Sequence, residues 1–371
     1  IWCVLPSRMF AATPEEVKTA IARGQEFLLN TQTNGNWEPP TDPAKKGDNR
    51  DLGGYTAIAT YALLASGVSP QDPKVKAGID YLVKLNDMTG IYAIGIRAQI
   101  WHLLPRKPEY LAAAKRDAQL LIEGVGKKAP NTGMYHYTIA PNGNFHHSPA
   151  QYGVLGMWAC DQAGIEVSQQ YWQAVQDAWR NNQQPDGGWS YKFKPDPGHP
   201  VTAAMTTAGV ATLFITQDYL SLNNGVNCKP PLANAWIDKG MRWMEQNFST
   251  IGKGDMYTWY GVERIGVASG YKFFGSSDWY QLGADIVVKQ QNKNNGSWNY
   301  RGGNVGTSFA MLFLSRGSAP VVMNKLQYST ETAKAVPTNP QKQTTVISSA
   351  DNVWNTRPRD AANVVRWMGK E

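Results

Sequence analysis

The chain has 371 residues, of which 42% are hydrophobic and 18% charged, with 35 glycines and 14 tryptophans; it carries material for a large core and is no disordered polyelectrolyte. Its net charge of +7 is scattered, with no basic run longer than the pairs Lys45-Lys46 and Lys127-Lys128, which argues against a nucleic-acid-binding face. No apolar stretch approaches the roughly 20 residues of a membrane-spanning helix, and Cys3, Cys160 and Cys228 form no CxxC pair, which argues against a disulfide framework or a thiolate zinc site.

Residues 1–12, an apolar patch followed by small residues ending at Ala11-Ala12, read as the remnant of a secretory signal. The expected location is therefore outside the cytoplasm, in the periplasm or cell envelope. Thr13-Pro14-Glu15-Glu16 then announces a helix: a threonine cap, proline in the first turn and glutamate three residues after the cap. Val17, Ile21, Gly24 and Leu28 continue it on one face.

From there a repeat organises the chain. A glycine followed closely by an aromatic recurs at Gly35/Trp37, Gly90/Tyr92, Gly133/Tyr135, Gly188/Trp189, Gly254/Tyr257 and Gly296/Trp298, at about 52 residues per step. That period holds two helices and two loops. Before each glycine the pattern is amphipathic, as in Val75, Ile79, Leu82 and Val83, or Tyr171, Val175, Ala178 and Trp179. After each glycine the segment is apolar or small on every side: Tyr55–Ser66, Ala93–Leu104, Ala150–Ala163, Ala203–Thr216, Tyr260–Ser269 and Val305–Ser315. Ser148-Pro149-Ala150-Gln151 has capping-box spacing and predicts one such start at about Pro149. A helix without a polar face is buried all round, so six buried helices form an inner ring and six amphipathic ones wrap it. The expected fold is all-α, an (α/α)6 toroid over residues 13–325, with an extended C-terminal tail. Within that tail residues 326–351 read as a linker, and residues 352–371 as a short helix opening a further, truncated domain.

Arg23-Gly24, Phe27-Leu28, Gln32, Gly35 and Trp37 resemble the QW motif of the squalene cyclase, terpenoid cyclase and prenyltransferase superfamily. Ala77-Gly78, Tyr81-Leu82, Asn86, Gly90 and Tyr92 look like a degenerate copy; Gln183 or Gln184 with Gly187 and Trp189, and Gln291 with Gly296 and Trp298, are good copies. The structural motif set is thus Gln32, Trp37, Gln184, Trp189, Gln291 and Trp298. A glutamine ending an outer helix reaches exposed backbone groups at a neighbouring helix end, and the tryptophan packs over the junction. End to end the chain also resembles a group of uncharacterised bacterial envelope-type proteins that place such repeats ahead of a C-terminal domain of unknown function. The superfamily's reactions are not implied with it. The DxDD and DDxxD aspartates are absent, Asp48-Asn49-Arg50-Asp51 has the wrong spacing, and Cys160-Asp161 does not reproduce a zinc-ligand set. No metal and no cofactor is expected.

What remains is polar and aromatic residues on the buried helices. Arg97 and Gln99 lie on the second inner helix, Glu263 and Arg264 on the fifth, and positions two and five of a closed sixfold ring face each other. Arg97 and Glu263 would meet across the centre or both line it, because a buried charge needs a partner or a ligand. His147, with His136, His146 and His199 in the loops before inner helices three and four, and the aromatics Tyr152, Tyr257 and Trp259 complete the candidate ligand-cavity set. Six inner-helix N-termini at one end favour an anion there. The expected function is a non-catalytic binding or scaffold protein of the bacterial envelope, its cavity taking an anionic or amphipathic ligand. Its partner is a small ligand or an envelope protein, with peripheral membrane contact left open. The alternatives are an atypical terpenoid cyclase-like enzyme and a polysaccharide-active toroid enzyme.

Overall fold

A computed structural model of the chain describes residues 12–40, 49–140, 145–221, 234–253 and 255–317. The expected signal remnant, the linker and the C-terminal helix lie outside the described residues, apart from Ala12.

Twelve α-helices lie among the described residues, alternating between two walls. The outer wall comprises α1 (Pro14–Thr31), α3 (Pro73–Lys84), α5 (Pro108–Gly124), α7 (Gln169–Asn181), α9 (Ala235–Asn247) and α11 (Trp279–Gln290). The inner wall comprises α2 (Gly54–Ala65), α4 (Ile91–Trp101), α6 (His147–Gln162), α8 (Ala203–Leu220), α10 (Met256–Ser269) and α12 (Gly303–Gly317). Each inner helix packs on the next, and α12 returns to α2, closing the ring; α1 likewise packs on α11 and α12. The fold is the all-α toroid. A short hairpin, β1 (Phe273–Phe274) with β2 (Ser277–Asp278), joins α10 to α11 and has no counterpart in the repeat pattern.

Burial follows the two sequence patterns. On α3 the stripe Val75, Gly78, Ile79 and Leu82 is buried while the opposite face is wet, whereas α8 is buried without a break from Ala204 to Thr216. Thr13 caps α1 in the expected box, its hydroxyl accepting from Glu16 N while Glu16 reaches back to Thr13 N. The box expected at Ser148 does not form. Helix α6 begins one residue before it, with His146 at the cap position and no side-chain cap, because the Ser148 hydroxyl is turned inward to Tyr92 and Tyr257.

The junctions between repeats are made by the motif residues. Trp37 donates its indole N–H to Leu28 O at the end of α1 (2.7 Å), and its backbone N–H to Thr56 Oγ1 on α2 (3.1 Å). Trp189 does the same with Trp179 O (2.9 Å) and Thr206 Oγ1 (3.2 Å), and Trp298 with Val287 O (2.7 Å) and Thr307 Oγ1 (3.1 Å). Each ring then lies over a glycine of the following outer helix. A Cβ on Gly78, Gly240 or Gly24 would stand 2.8, 3.1 or 3.1 Å from the Cζ3 of Trp37, Trp189 or Trp298 respectively. The turn ahead of the tryptophan needs a left-handed residue, met by Gly187 at φ 97° and Gly296 at φ 76°.

The glutamines tie one repeat to the next. Gln32 donates to Lys74 O on α3 (2.7 Å), and Gln291 to both Ala20 O on α1 (2.9 Å) and Gly296 O (2.8 Å). In the fourth repeat this role belongs to Gln183, which donates to Trp236 O on α9 and Gly187 O (both 2.8 Å). Gln184 bonds only within its own loop, to Asn182 O and Phe193 O. In the degenerate second repeat the tie runs the other way: Arg116 on α5 donates back to Val83 O and Asn86 Oδ1.

Gln291→Leu removes the side-chain bond that, among the described residues, joins the last repeat to Ala20 O, and leaves Gly296 O without its amide donor. Urea unfolding is expected to show a loss of about 1–3 kcal/mol.

Candidate functional site

The 3.6-residue helical period decides which inner-wall side chains reach the ring axis. On α10, Tyr257, Tyr260 and Arg264 share one face by their i, i+3, i+7 spacing; on α6, Ser148, Gln151 and Tyr152 do; on α4, Tyr92 and Gln99 do. These residues meet. Tyr92 OH bonds Ser148 Oγ, Ser148 Oγ lies 3.2 Å from Tyr257 OH, and Gln151 Nε2 donates to Tyr257 OH. Arg264 Nη2 donates to Gln151 Oε1, and its guanidinium lies over the Tyr260 ring, 5.1 Å from the centroid. Tyr260 OH in turn donates to Gln99 Oε1 at 3.4 Å. The Tyr152 ring sits between those of Tyr92 (4.7 Å) and Tyr257 (6.1 Å), and Phe309 of α12 packs on Tyr257 and Tyr260.

Positions two and five therefore do meet across the ring, through Gln99 and Tyr260. Arg97, two residues and about 200° from Gln99 on the helix, points the other way. It makes a fully buried bidentate pair with Asp117 of α5 and donates to Leu82 O and Leu85 O at the end of α3. Asp117 also accepts from Trp101 Nε1 at 2.7 Å. Arg97 thus bolts the walls together and does not meet Glu263, which is buried on α10. Trp259 is out of phase with Tyr257 in the same way. It packs between the walls against Phe248 and Phe313 and over Gly283 of α11.

His147 is not a mouth residue either. It is the first residue of α6, fully buried, with Nδ1 donating to Ser190 O (2.7 Å) and its ring against Trp179 and Phe193. Burial pulls its pKa down to about 4, so the imidazole is neutral. His136 and His146 stand half-buried beside Tyr137, and burial lowers both. His199 bonds Asp196, which Lys192 also holds. Among the described residues no three His, Cys, Asp or Glu side chains converge as metal ligands would.

Above Tyr92 and Tyr257 the loops that enter the inner helices gather a second set of side chains. Arg301, in a left-handed conformation at φ 47°, is the centre of it: its charge acts on Tyr55, Tyr92, Tyr137, Tyr191 and Tyr300. Burial, and then the negative charge of Asp255, push the Tyr191 hydroxyl up to about 12. Asp255 caps α10, accepting from Thr258 N (2.8 Å) and Thr258 Oγ1 (2.9 Å). Glu38, just after Trp37, accepts from Gly53 N, Thr56 N and Thr56 Oγ1 at the start of α2. Its carboxyl is nonetheless raised above the ordinary range, first by burial and further by the charge of Asp51. This loop set, the mouth, thus supplies several tyrosines within reach of one arginine charge, with Arg301 Nε donating to Tyr300 OH at 3.4 Å, Tyr137 stacked on Tyr92 at 6.1 Å, and Glu38 and Asp255 held at helix starts.

No family model matches the chain. Its fold is similar to that of an inactive variant of the alpha-1,6-mannanase GH76A of Salegentibacter sp. HEL1_6 in complex with alpha-1,6-mannotriose. That likeness has TM-score 0.55 and 11% identity, and covers 81% of this chain and 99% of that one. It is also similar to a variant of unsaturated glucuronyl hydrolase from Streptococcus agalactiae, with TM-score 0.51 and 14% identity over 83% of this chain and 92% of that one. At these identities the likeness shows the toroid; a squalene cyclase relationship does not follow from it.

Two outcomes follow from the buried polar groups. Arg97→Met leaves Asp117 buried without its counter-charge and is expected to cost about 3–5 kcal/mol in urea unfolding. Arg97→Met with Asp117→Leu should recover part of that loss. For His147, a folded value below the unfolded one means its contribution is complete above about pH 6.5 and is lost as pH falls toward 4, by about 3 kcal/mol. His147→Asn, which retains a donor for Ser190 O, should flatten that limb of the stability–pH curve.

Proposed function

We propose that the protein is a polysaccharide-active toroid of the bacterial envelope, exported, which holds a glycan across the mouth formed by Tyr55, Tyr137, Tyr191 and Tyr300 around Arg301. The observation that carries this reading is the mouth itself. Tyrosine rings offer flat apolar faces with a hydroxyl at the rim, which suits a sugar whose C–H face is apolar and whose edge is hydroxylated. The two solved structures of similar fold, a mannanase holding a mannotriose and a glucuronyl hydrolase, are carbohydrate-acting proteins and support the same direction by analogy.

The terpenoid-cyclase alternative fits less well. Carbocation chemistry calls for a dry aromatic chamber with a protonated carboxylic acid, whereas the axis here carries tyrosine and serine hydroxyls, Gln151, Gln99 and the Arg264 guanidinium.

Glu38 and Asp51 supply the chemistry of glycosidic cleavage. Glu38, whose carboxyl burial and then the charge of Asp51 raise above the ordinary value, is the group that gives its proton to the departing glycosidic oxygen. Asp51, exposed at the rim, takes the proton of the water that attacks the anomeric carbon as the glycosidic bond breaks. A non-catalytic glycan-binding scaffold is the second reading, favoured by the engagement of Glu38 and Asp255 at helix starts.

A panel of neutral and acidic polysaccharides separates the two. Release of reducing ends by the wild type, lowered about a hundredfold or more in Glu38→Gln with the melting temperature retained, supports the enzyme. Activity should also fall as pH rises through the raised Glu38 value, since the proton donor is then lost. Binding without turnover, weakened about tenfold in Tyr191→Ala and Arg301→Ala, supports the scaffold. Absence of both sinks the carbohydrate reading.

A further inference from the structure

Below the mouth, the ring axis holds donors that no group among the described residues answers. Arg264 is half-buried and held in place: Nη2 is bonded to Gln151, and the guanidinium plane rests on Tyr260. Gln151 cannot turn away, because its amide nitrogen is committed to Tyr257 OH. Yet Arg264 Nε is shielded from solvent and has no acceptor. The hydroxyl of Tyr152, a residue only 1% exposed, likewise has no partner. The two belong to one locus: the Tyr152 ring stacks on that of Tyr257 with centroids 6.1 Å apart, and the Tyr257 hydroxyl holds the Gln151 amide to which Arg264 is bonded. The ion pairs among the described residues do not include Arg264.

Buried donors without acceptors are rare and each asks for a reason, and a shielded cation without a counter-charge is costly. The arrangement offers a fixed positive charge, an N–H and an O–H, and lacks an acceptor bearing one negative charge. A carboxylate has that charge and two oxygens to share between the donors. A neutral hydroxyl would leave the charge uncompensated, and a cation would be repelled. Tyr92, Tyr257 and Tyr260 supply aromatic surface beside the same point.

We propose that Arg264 and the Tyr152 hydroxyl form a carboxylate site on the ring axis, which selects an acidic sugar over its neutral counterpart. The sugar nature of the ligand rests on the function proposed above; the carboxylate site does not. Arg264 and Tyr152 are specificity residues here, while Gln151 positions the guanidinium.

The test is calorimetric titration and thermal melting with sodium glucuronate, its neutral methyl ester and glucose. The proteins are the wild type, Tyr152→Phe, Arg264→Lys and Arg264→Met. Wild type is expected to bind glucuronate about tenfold or more tighter than the ester or glucose. Arg264→Met abolishes that preference, and Arg264→Lys keeps part of it. Tyr152→Phe deletes a hydroxyl with no partner, so its ligand-free melting temperature stays the same or rises while glucuronate binding weakens. That combination is one a merely structural tyrosine would not produce, and it carries the test if Arg264→Met fails to fold. Equal binding of glucuronate, ester and glucose, no binding of glucuronate, or glucuronate binding untouched by Tyr152→Phe overturns the site. Glucuronate binding lost in Tyr152→Phe, in a protein that neither binds nor cleaves polysaccharides, keeps the site and removes the proposed function. Polysaccharide binding with no Arg264-dependent preference does the reverse.

Discussion

Closure of the ring rests on one repeated contact, an indole wedged over a glycine of the next outer helix while its N–H holds the last carbonyls of its own. Trp37 on Gly78, Trp189 on Gly240 and Trp298 on Gly24 are the same joint at three places, and the last of them joins the final repeat to the first. Because every joint sets the angle between successive hairpins, the inner helices are brought side by side all the way round. Their uniformly apolar flanks are then buried without any single helix needing a polar face. Gln32, Gln183 and Gln291 complete the joint by adding a side-chain bond from each repeat to a backbone carbonyl of the next outer helix.

That geometry leaves a narrow axis, and what fills it is polar. Tyr92, Ser148, Tyr257, Gln151 and Arg264 form one chain of hydrogen bonds linking three inner helices. A structural purpose alone would be served better by aliphatic packing, since a partly satisfied buried network is worse than an apolar one. The contrast with Arg97 is instructive. Every contact of Arg97 is matched, by Asp117 and two carbonyls, as a structural charge requires. Arg264 has a fixed place and, among the described residues, an unanswered Nε. The strained Arg301 backbone at the mouth fits the same division between scaffold and site.

The scaffold was legible because its signals are local. Amphipathic and uniformly apolar segments alternate in the sequence itself, and the Thr13 box and motif residues mark ends and joints. The site was legible only in part. Gln99, Tyr152, Tyr257 and Arg264, polar or aromatic residues on apolar segments, lie in the network that links α4, α6 and α10. Arg97, Trp259 and His147 are of the same residue types but face the outer wall or the core, because helical phase, and not residue type, decides which way a side chain points. The spacing of Tyr257, Tyr260 and Arg264, and of Ser148, Gln151 and Tyr152, held the missing signal. The mouth residues Glu38, Tyr191 and Arg301 lie in aperiodic loops and carried none.

Helix number, length and alternation, and hence the double-walled ring, are written in local residue patterns, because helix periodicity and capping depend on residues a few places apart. What stands opposite what is set by packing between distant segments. Gln99 meets Tyr260 across 161 residues of chain, and Gln151 meets Arg264 across 113. Contacts at that separation join the second and third inner helices to the fifth, which no local pattern specifies. The polarity of the axis, and the unmatched donors within it, are therefore properties of the closed ring and of no segment within it.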